Sequence, residues 1–343
     1  MKAKSTFVGL VGALVMGALS VGASVAHAED ISGAGATFPY PVYAKWASAY
    51  KKATGIGLNY QSIGSGGGIK QIKAKTVTFG ASDKPLMPSE LDESGLIQWP
   101  MVIGGVIPVV NIPGIKPGEL TIDGPTLAAL YLGDIKKWND PAIAKLNPGV
   151  KLPNIAVAPV HRAEGSGTTF LFTTYLSSVS PKWAETVGAN ASVQWPEGIG
   201  AKGNEGVANM SARTQGSIGY VEYAYVKQNN LTYMKMKNKD GEVVEPKITA
   251  FQAAAANADW AHAPGYYLIL TNQPGATSWP IVGASFILMY KDPKDPKAAQ
   301  TALDFFKWAY ANGDEAAESL DYVPIPDSVV KLVEDKQWSM IKR

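Results

Sequence analysis

"HRAEGSGTTF", residues 161–170, sets one arginine just ahead of glycines and small hydroxyl residues, after which the chain turns apolar. Upstream, "NIAVAPV" (154–160) reads as a buried strand, so Arg162 emerges at a strand's end. "GSGTT" (165–169) then opens a helical segment carrying Phe170, Thr174 and Tyr175. The first turn of a helix has backbone N–H groups without partners, and the helix dipole adds partial positive charge there. Glycines let a ligand approach the backbone, Ser and Thr hydroxyls add donors, and an oxyanion is stabilised without any lysine. A guanidinium is the side chain best shaped for bidentate contact with such a group.

The same device occurs twice more. "GAGATF" (33–38) leads into Phe38, Val42, Trp46 and Tyr50 at near-helical spacing, stopped by Gly55, and "GSGGG" (64–68) leads into Ile69 and Ile72. Any one of these loops by itself reads more readily as a plain helix cap, because Ser and Thr favour helix starts. Three in one chain point to a shared anion site. Asp83 ends "VTFGASD" (77–83), another strand pattern, and taken alone suits a cap or a turn. In an anion site a carboxylate makes sense if the anion carries a proton. Phosphate near neutral pH keeps a hydroxyl to donate, whereas sulfate has none. A site built around a ligand hydroxyl rejects the analogue lacking it by about 10⁴–10⁵, so Asp83 reads as a phosphate-over-sulfate filter.

Composition narrows the classes. Lys2 and Lys4 precede an apolar run over 7–25, and "AHA" (26–28) is an A-x-A cleavage site, so residues 1–28 are expected to be a secretory signal peptide. The alternative is a membrane anchor, since the run is just long enough to span. Cleavage would remove Lys2 and Lys4 from 31 basic residues, leaving 29 against 29 acidic ones. A formally neutral chain has no basic excess for nucleic acid or acidic membranes. There is no cysteine, which excludes disulfides, thiolate metal sites, a cysteine nucleophile and lipid attachment at the cleavage site. His161 and His262 are far apart, with no metal-ligand spacing. His161, beside Arg162, reads either as a ligand contact or as a surface or supporting residue. About 315 residues would remain after cleavage, more than one core usually fills, so two lobes are expected.

Six stretches, in this order, carry a resemblance: "GAGATFPYPVYAKW", "YQSIGSGGGIKQI", "TVTFGASDKPL", "LYLGDIKKWNDPAIAKLNPG", "HRAEGSGTTF" and "IGYVEYAYVKQNNL". The chain resembles the periplasmic phosphate-binding proteins of Pst-type ABC importers over essentially all its length after residue 28. The resemblance implies an α/β, two-lobed periplasmic binding protein fold, type II-like, with the ligand cleft between lobes and a two-strand hinge. It implies lobe I at 29–102 plus 281–343 and lobe II at 103–280, with "WPMVIGGVIPVVNIPG" (99–114) and "SWPIVGASFILMY" (278–290) as the crossing strands. Carried over residue by residue, the phosphate ligands are Thr37, Phe38 through its backbone N–H, Ser65, Asp83, Arg162, Ser166, Gly167 and Thr168. The family usually has Asp two residues after the arginine; this chain has Glu164, which puts the support of the guanidinium in doubt. The implied protein is an unanchored periplasmic monomer that passes inorganic phosphate to transmembrane permease subunits, without cofactor or metal.

The rival reading is an enzyme acting on phosphate esters. No glycine loop has the lysine of G-x-x-x-x-G-K-[ST], and "EGSGT" lacks the G-x-S-x-G spacing of a hydrolase elbow. Two isolated histidines do not make a metal-assisted phosphatase. Ser166 has no base at hand and reads as a hydrogen-bond donor. A structural or adhesive surface role finds no repeats or low-complexity arms, and "DIKKWND" (134–140) reads as solvated surface.

Overall fold

The computed structural model describes residues 30–342, so the signal peptide expected at 1–28 lies outside the described residues. The strands are β1 (Ile31–Gly35), β2 (Leu58–Ser62), β3 (Phe79–Ser82), β4 (Leu96–Val110) and β5 (Thr121–Ile122), then β6 (Ala158–Arg162) and β7 (Ile199–Ala201). β8 (Ser217–Glu222), β9 (Thr232–Tyr233), β10 (Lys235–Lys237), β11 (Val243–Val244) and β12 (Val282–Tyr290) follow. The main sheet runs β2-β1-β3-β12-β4-β8-β6-β7, with β9 paired to β4; β11-β10-β5 form a small second sheet.

Parallel pairing joins β1 to β2 and β3, and β6 to β7 and β8. β12 and β4 run antiparallel between these two groups. β4 is a fifteen-residue run, buried throughout and free of charged side chains. Residues 96–105 of it pair with β12 and residues 106–110 pair with β8, so one strand passes from one half of the molecule into the other. Such a run fits a strand covered on both faces. The result is a two-lobed α/β binding-protein fold, with helices packed around a sheet that β4 and β12 carry across the middle.

The boundaries differ from the sequence expectation in four places, the first being the crossing strand expected from 278, which begins only at Val282 as β12. β4 begins at Leu96 and ends at Val110, because Pro113 and Gly114, the latter at φ 82°, turn the chain before 114. β6 starts only at Ala158, where β8 offers Ser217 as a partner; Ala156 makes just an isolated bridge with Lys137. β3 covers Phe79–Ser82, which leaves Asp83 one residue beyond the strand's end.

The helix Tyr40–Thr54 buries Val42, Trp46 and Tyr50, one face at four-residue spacing. Gly55, at φ 80°, closes it by donating its N–H to the Lys51 carbonyl at 2.8 Å. Trp46 Nε1 donates to the Gly313 carbonyl at 2.9 Å, tying this helix to the C-terminal helices. Each such apolar side chain contributes about 1.5–3 kcal/mol by leaving water. This packing fixes where the loop after β1 can lie.

Candidate functional site

The carboxyl ends of two parallel strand groups, β1–β3 and β6–β7, meet at one place. Thr37 follows β1, Ser65 follows β2, Asp83 follows β3, Arg162 ends β6, and Asn204 follows β7. In open α/β sheets the crevice beyond the carboxyl ends of the strands is where ligands bind. Thr37, Ser65, Asp83, Arg162, Ser166, Thr168 and Asn204 are each no more than 3% exposed. The loops meet directly, with Gly66 donating its N–H to the Gly165 carbonyl at 2.8 Å and Gly167 donating to Ser65 Oγ at 3.0 Å.

Two glycines make this approach feasible. A Cβ on Gly167 would lie 2.5 Å from Asp83 Cβ and 2.6 Å from Ser65 Oγ. A Cβ on Gly68 would lie 2.5 Å from Gly35 Cα and 2.8 Å from the Ala81 carbonyl oxygen. The "GSGGG" loop therefore lets the helix Ser65–Lys73 sit directly on β1 and β3, and that places Ser65.

The hydroxyls share one polarity. Thr37 Oγ1 accepts from the Asn204 backbone N–H at 3.0 Å and from Asn204 Nδ2 at 2.8 Å. Thr168 Oγ1 accepts from Asn204 Nδ2 at 3.1 Å and from Arg162 Nη1 at 3.3 Å. Ser65 Oγ accepts from the N–H groups of Asp83 at 3.1 Å and Gly167 at 3.0 Å. A hydroxyl has two acceptor lone pairs and one proton. With both lone pairs occupied, Thr37 and Thr168 have only their protons to offer, while Ser65 Oγ, its lone pairs also taken, donates its proton to Asp83 Oδ2 at 3.4 Å. Among the described residues, the backbone N–H groups of Phe38, Ser65 and Thr168 donate to no protein acceptor. The site is a set of oriented donors, the arrangement that stabilises an oxyanion without reorganisation.

Arg162 is held by Glu164, whose Oε1 accepts from Nε at 2.9 Å and also from Nη2. The same oxygen accepts the Gly203 N–H at 3.0 Å. The glutamate thus braces the guanidinium and offsets its charge. Ser166 differs from its neighbours, because its Oγ caps the helix Gly167–Val179 by accepting from Thr169 N–H and its own N–H goes to the Ala191 carbonyl at 2.8 Å. Only its hydroxyl proton is left for a ligand. Phe38 is buried, with its ring edge-on to Tyr322.

Asp83 is the exception to the donor rule. Its Oδ1 is buried and has no hydrogen-bond partner among the described residues, while Oδ2 lies 3.4 Å from Ser65 Oγ. Burial pushes this carboxyl up to about 7, partly countered by the Ser285 hydroxyl, the Arg162 charge and Ser65. One unpaired acceptor therefore faces a ring of donors.

Sequence reading missed Asn204, which touches both threonines and whose Oδ1 accepts the Glu222 N–H at 2.8 Å. "GAKGNEG" (200–206) is a fourth glycine loop at a helix start and was a legible signal for it. Tyr225, whose hydroxyl donates to the Thr37 carbonyl at 2.6 Å, and Tyr220, which contacts Thr169 Oγ1 at 2.6 Å, left no such pattern. His161 does not join the anion site; its ring stacks on Trp195 at 4.6 Å and its Nδ1 contacts the Arg162 carbonyl. A cavity of about 430 Å³, lined by Thr37, Ser62, Ile63, Glu164, Lys202, Gly203 and Glu205, opens beside the site. A larger groove of about 600 Å³ lies at the opposite, amino-terminal end of β1, between Asp30, Lys75 and Tyr290, away from the buried charged groups. Among the described residues no cluster of three or more His, Cys, Asp or Glu could hold a metal, and no helix is long and apolar enough to cross a membrane.

Known proteins align with this chain from end to end. The family model for the PBP superfamily domain matches residues 21–312. The phosphate-binding protein PstS of Pasteurella multocida is 55% identical over 312 residues, 91% of this chain and 90% of that protein. The phosphate-binding protein PstS of Haemophilus influenzae is 52% identical over 338 residues, 98% of each chain. Among solved structures, a high-affinity periplasmic phosphate-binding protein (PfluDING) bound with phosphate superposes with a TM-score of 0.70 at 23% identity, covering 89% of this chain and 93% of its own. At that identity the structure speaks for the fold, while the two long, close sequence matches speak for the lineage: the chain belongs to the PstS family of the PBP superfamily.

Proposed function

We propose that this protein is a periplasmic carrier of inorganic phosphate that closes around the anion and hands it to the transmembrane permease subunits of an ABC importer. It acts as a monomer, makes and breaks no bond, and uses no cofactor or metal. Residues 1–28 serve as the cleaved export signal, and exported protein should begin near Glu29. The lobes are 29–102 with 281–343, and 103–280, closing about β4 and β12 by a hinge motion that keeps each lobe rigid.

The observation that supports this reading is the hydrogen-bond polarity of the site. The Thr37 and Thr168 hydroxyls with both lone pairs occupied, free N–H groups and Arg162 surround one carboxylate whose Oδ1 has no partner among the described residues. A protonated oxyanion matches that pattern, its oxygens taking the donors and its O–H meeting Asp83. Phosphate carries the proton, and sulfate would set an unprotonated oxygen against the carboxylate, leaving two acceptors face to face. Glu164 offsets the charge of Arg162, so binding rests on oriented dipoles and release is not blocked by excess positive charge.

Ligand-stripped protein titrated calorimetrically with orthophosphate should show one binding event per chain, and incubation with p-nitrophenyl phosphate should give no hydrolysis. No phosphate binding, or turnover of the ester, contradicts the carrier reading.

A further inference from the structure

Behind Asp83 lie two more buried polar atoms without partners. Asp83 Oδ1, Ser285 Oγ and Tyr43 Oη are each buried with no hydrogen bond among the described residues. Tyr43 is on the helix Tyr40–Thr54, Ser285 is on the crossing strand β12, and both are almost fully buried. The antiparallel register of β12 on β3 pairs Phe286 with Ser82, so one step further sets Ser285 opposite Asp83. At the same point the β12–β4 register slips, from Ser285 with Val102 to Phe286 with Pro100, so β4 carries one extra residue there. Bulges of this kind re-aim side chains beside functional sites. Buried polar atoms are nearly always satisfied, and Ser285 is the side chain that bears on both of the other two.

We propose that Ser285 is a specificity-determining positioning residue: Tyr43 donates to Ser285, Ser285 donates to Asp83 Oδ1, and this chain holds Asp83 as an ionised acceptor for the ligand's proton. The inference rests on the phosphate-carrier reading above. Ser285 touches no ligand and acts through Asp83. Its hydroxyl is the largest influence opposing burial at that carboxyl, and it also opposes burial at Tyr43. The other groups that bear on Asp83 are the Arg162 cation, the Ser65 hydroxyl and the phenols of Tyr60, Tyr225 and Tyr322. Burial raises all three phenols, so they stay neutral near pH 8, and Arg162 is already braced by Glu164. Ser285 is thus the group whose removal tips Asp83 toward its protonated form. A protonated Asp83 is a donor, and a donor there accepts sulfate.

The test is phosphate and sulfate affinity from pH 6 to 10 for the parent, Ser285→Ala and Tyr43→Phe, each checked for a cooperative thermal melt. A hydrogen bond to a charged group corresponds to about a tenfold to hundredfold effect. Ser285→Ala is expected to lose about that much of the phosphate-to-sulfate ratio at pH 7–8. It should regain the ratio at higher pH, the profile moving up by about one to two pH units. Tyr43→Phe should move the same way by a smaller factor, and it carries the test if Ser285→Ala does not fold. A parent that selects phosphate, beside folded variants with unchanged ratio and profile, overturns the role of Ser285. A parent that fails to bind phosphate or to prefer it overturns the carrier reading instead.

Discussion

Asn204 Nδ2 donates to Thr37 Oγ1 at 2.8 Å across 167 residues of chain, and the same amide donates to Thr168 Oγ1 at 3.1 Å. One amide thus aims two hydroxyl protons from opposite sides of the cleft. Its Oδ1 is occupied by the Glu222 N–H, which fixes which end of the amide faces the threonines.

Asn204→Asp keeps the size and the acceptor for Glu222 but turns the donor into an acceptor. Both threonine hydroxyls would then point at the aspartate and away from the ligand. With about 1–1.5 kcal/mol at stake for each of two bonds, phosphate affinity should fall by about 30-fold or more by calorimetry. Affinity within a few-fold of the parent would show that Asn204 does not orient them.

Gly167 packs where a Cβ would strike Asp83 and Ser65 from across the cleft. Gly167→Ala should therefore oppose closure while leaving each lobe intact. Phosphate affinity is expected to drop by about fivefold or more, since forced overpacking costs about 1–3 kcal/mol. The melting temperature without ligand should move little. A large loss of unliganded stability would place the clash inside one lobe and contradict this geometry.

Arg162→Ala removes a buried cation and strands Glu164, whose Oε2 already has no partner among the described residues. Truncating one member of a buried charge pair costs about 2–5 kcal/mol, so phosphate affinity should fall by about 30-fold or more. Arg162→Lys should not restore it, because a point charge cannot span both Glu164 and Thr168. Full rescue by lysine would mean that charge alone matters here.

The three glycine loops, Asp83 and Arg162 were legible because each signal is local: a glycine run at a helix start, or a charge at a strand end. The hinge strand β4 was legible for the same reason, as an uncharged run. Asn204 was missed although its loop is also glycine-rich, because "GAKGNEG" carries no Ser or Thr hydroxyl to mark it as the other three loops are marked. Ser285, Tyr43 and Tyr225 could not be found from spacing. Their roles arise from a register slip in β12 and from tyrosine hydroxyls reaching across the cleft, which are products of tertiary packing. The strand limits near 154–160 moved because ladder partners, and not local apolarity, decide where pairing starts.

Glu222 sits fully buried at the end of β8, with Oε1 unpartnered among the described residues and Oε2 accepting from Ala224 N–H and the Tyr322 hydroxyl. Burial raises its carboxyl well above the ordinary range, against the pull of those hydrogen bonds. The folded chain therefore holds this proton at a pH where the unfolded chain has lost it, and stability falls as pH rises from the ordinary carboxylate range toward the folded pKa. Glu222→Gln should flatten that alkaline decline and melt a few degrees higher than the parent at about pH 8–9. A lower melting temperature for the glutamine variant throughout would show the carboxylate to be ionised and satisfied.

The polarity of Asp83 is the centre of the account, and the most direct test is calorimetric titration of the parent and Asp83→Asn with phosphate and then sulfate at pH 8. The parent should bind phosphate one-to-one and give no sulfate heat, while Asp83→Asn, presenting an amide donor, should take up sulfate and lose much of the discrimination of about 10⁴–10⁵ that a buried acceptor allows. A parent that binds sulfate as tightly as phosphate, or an asparagine variant that keeps full discrimination, would contradict it.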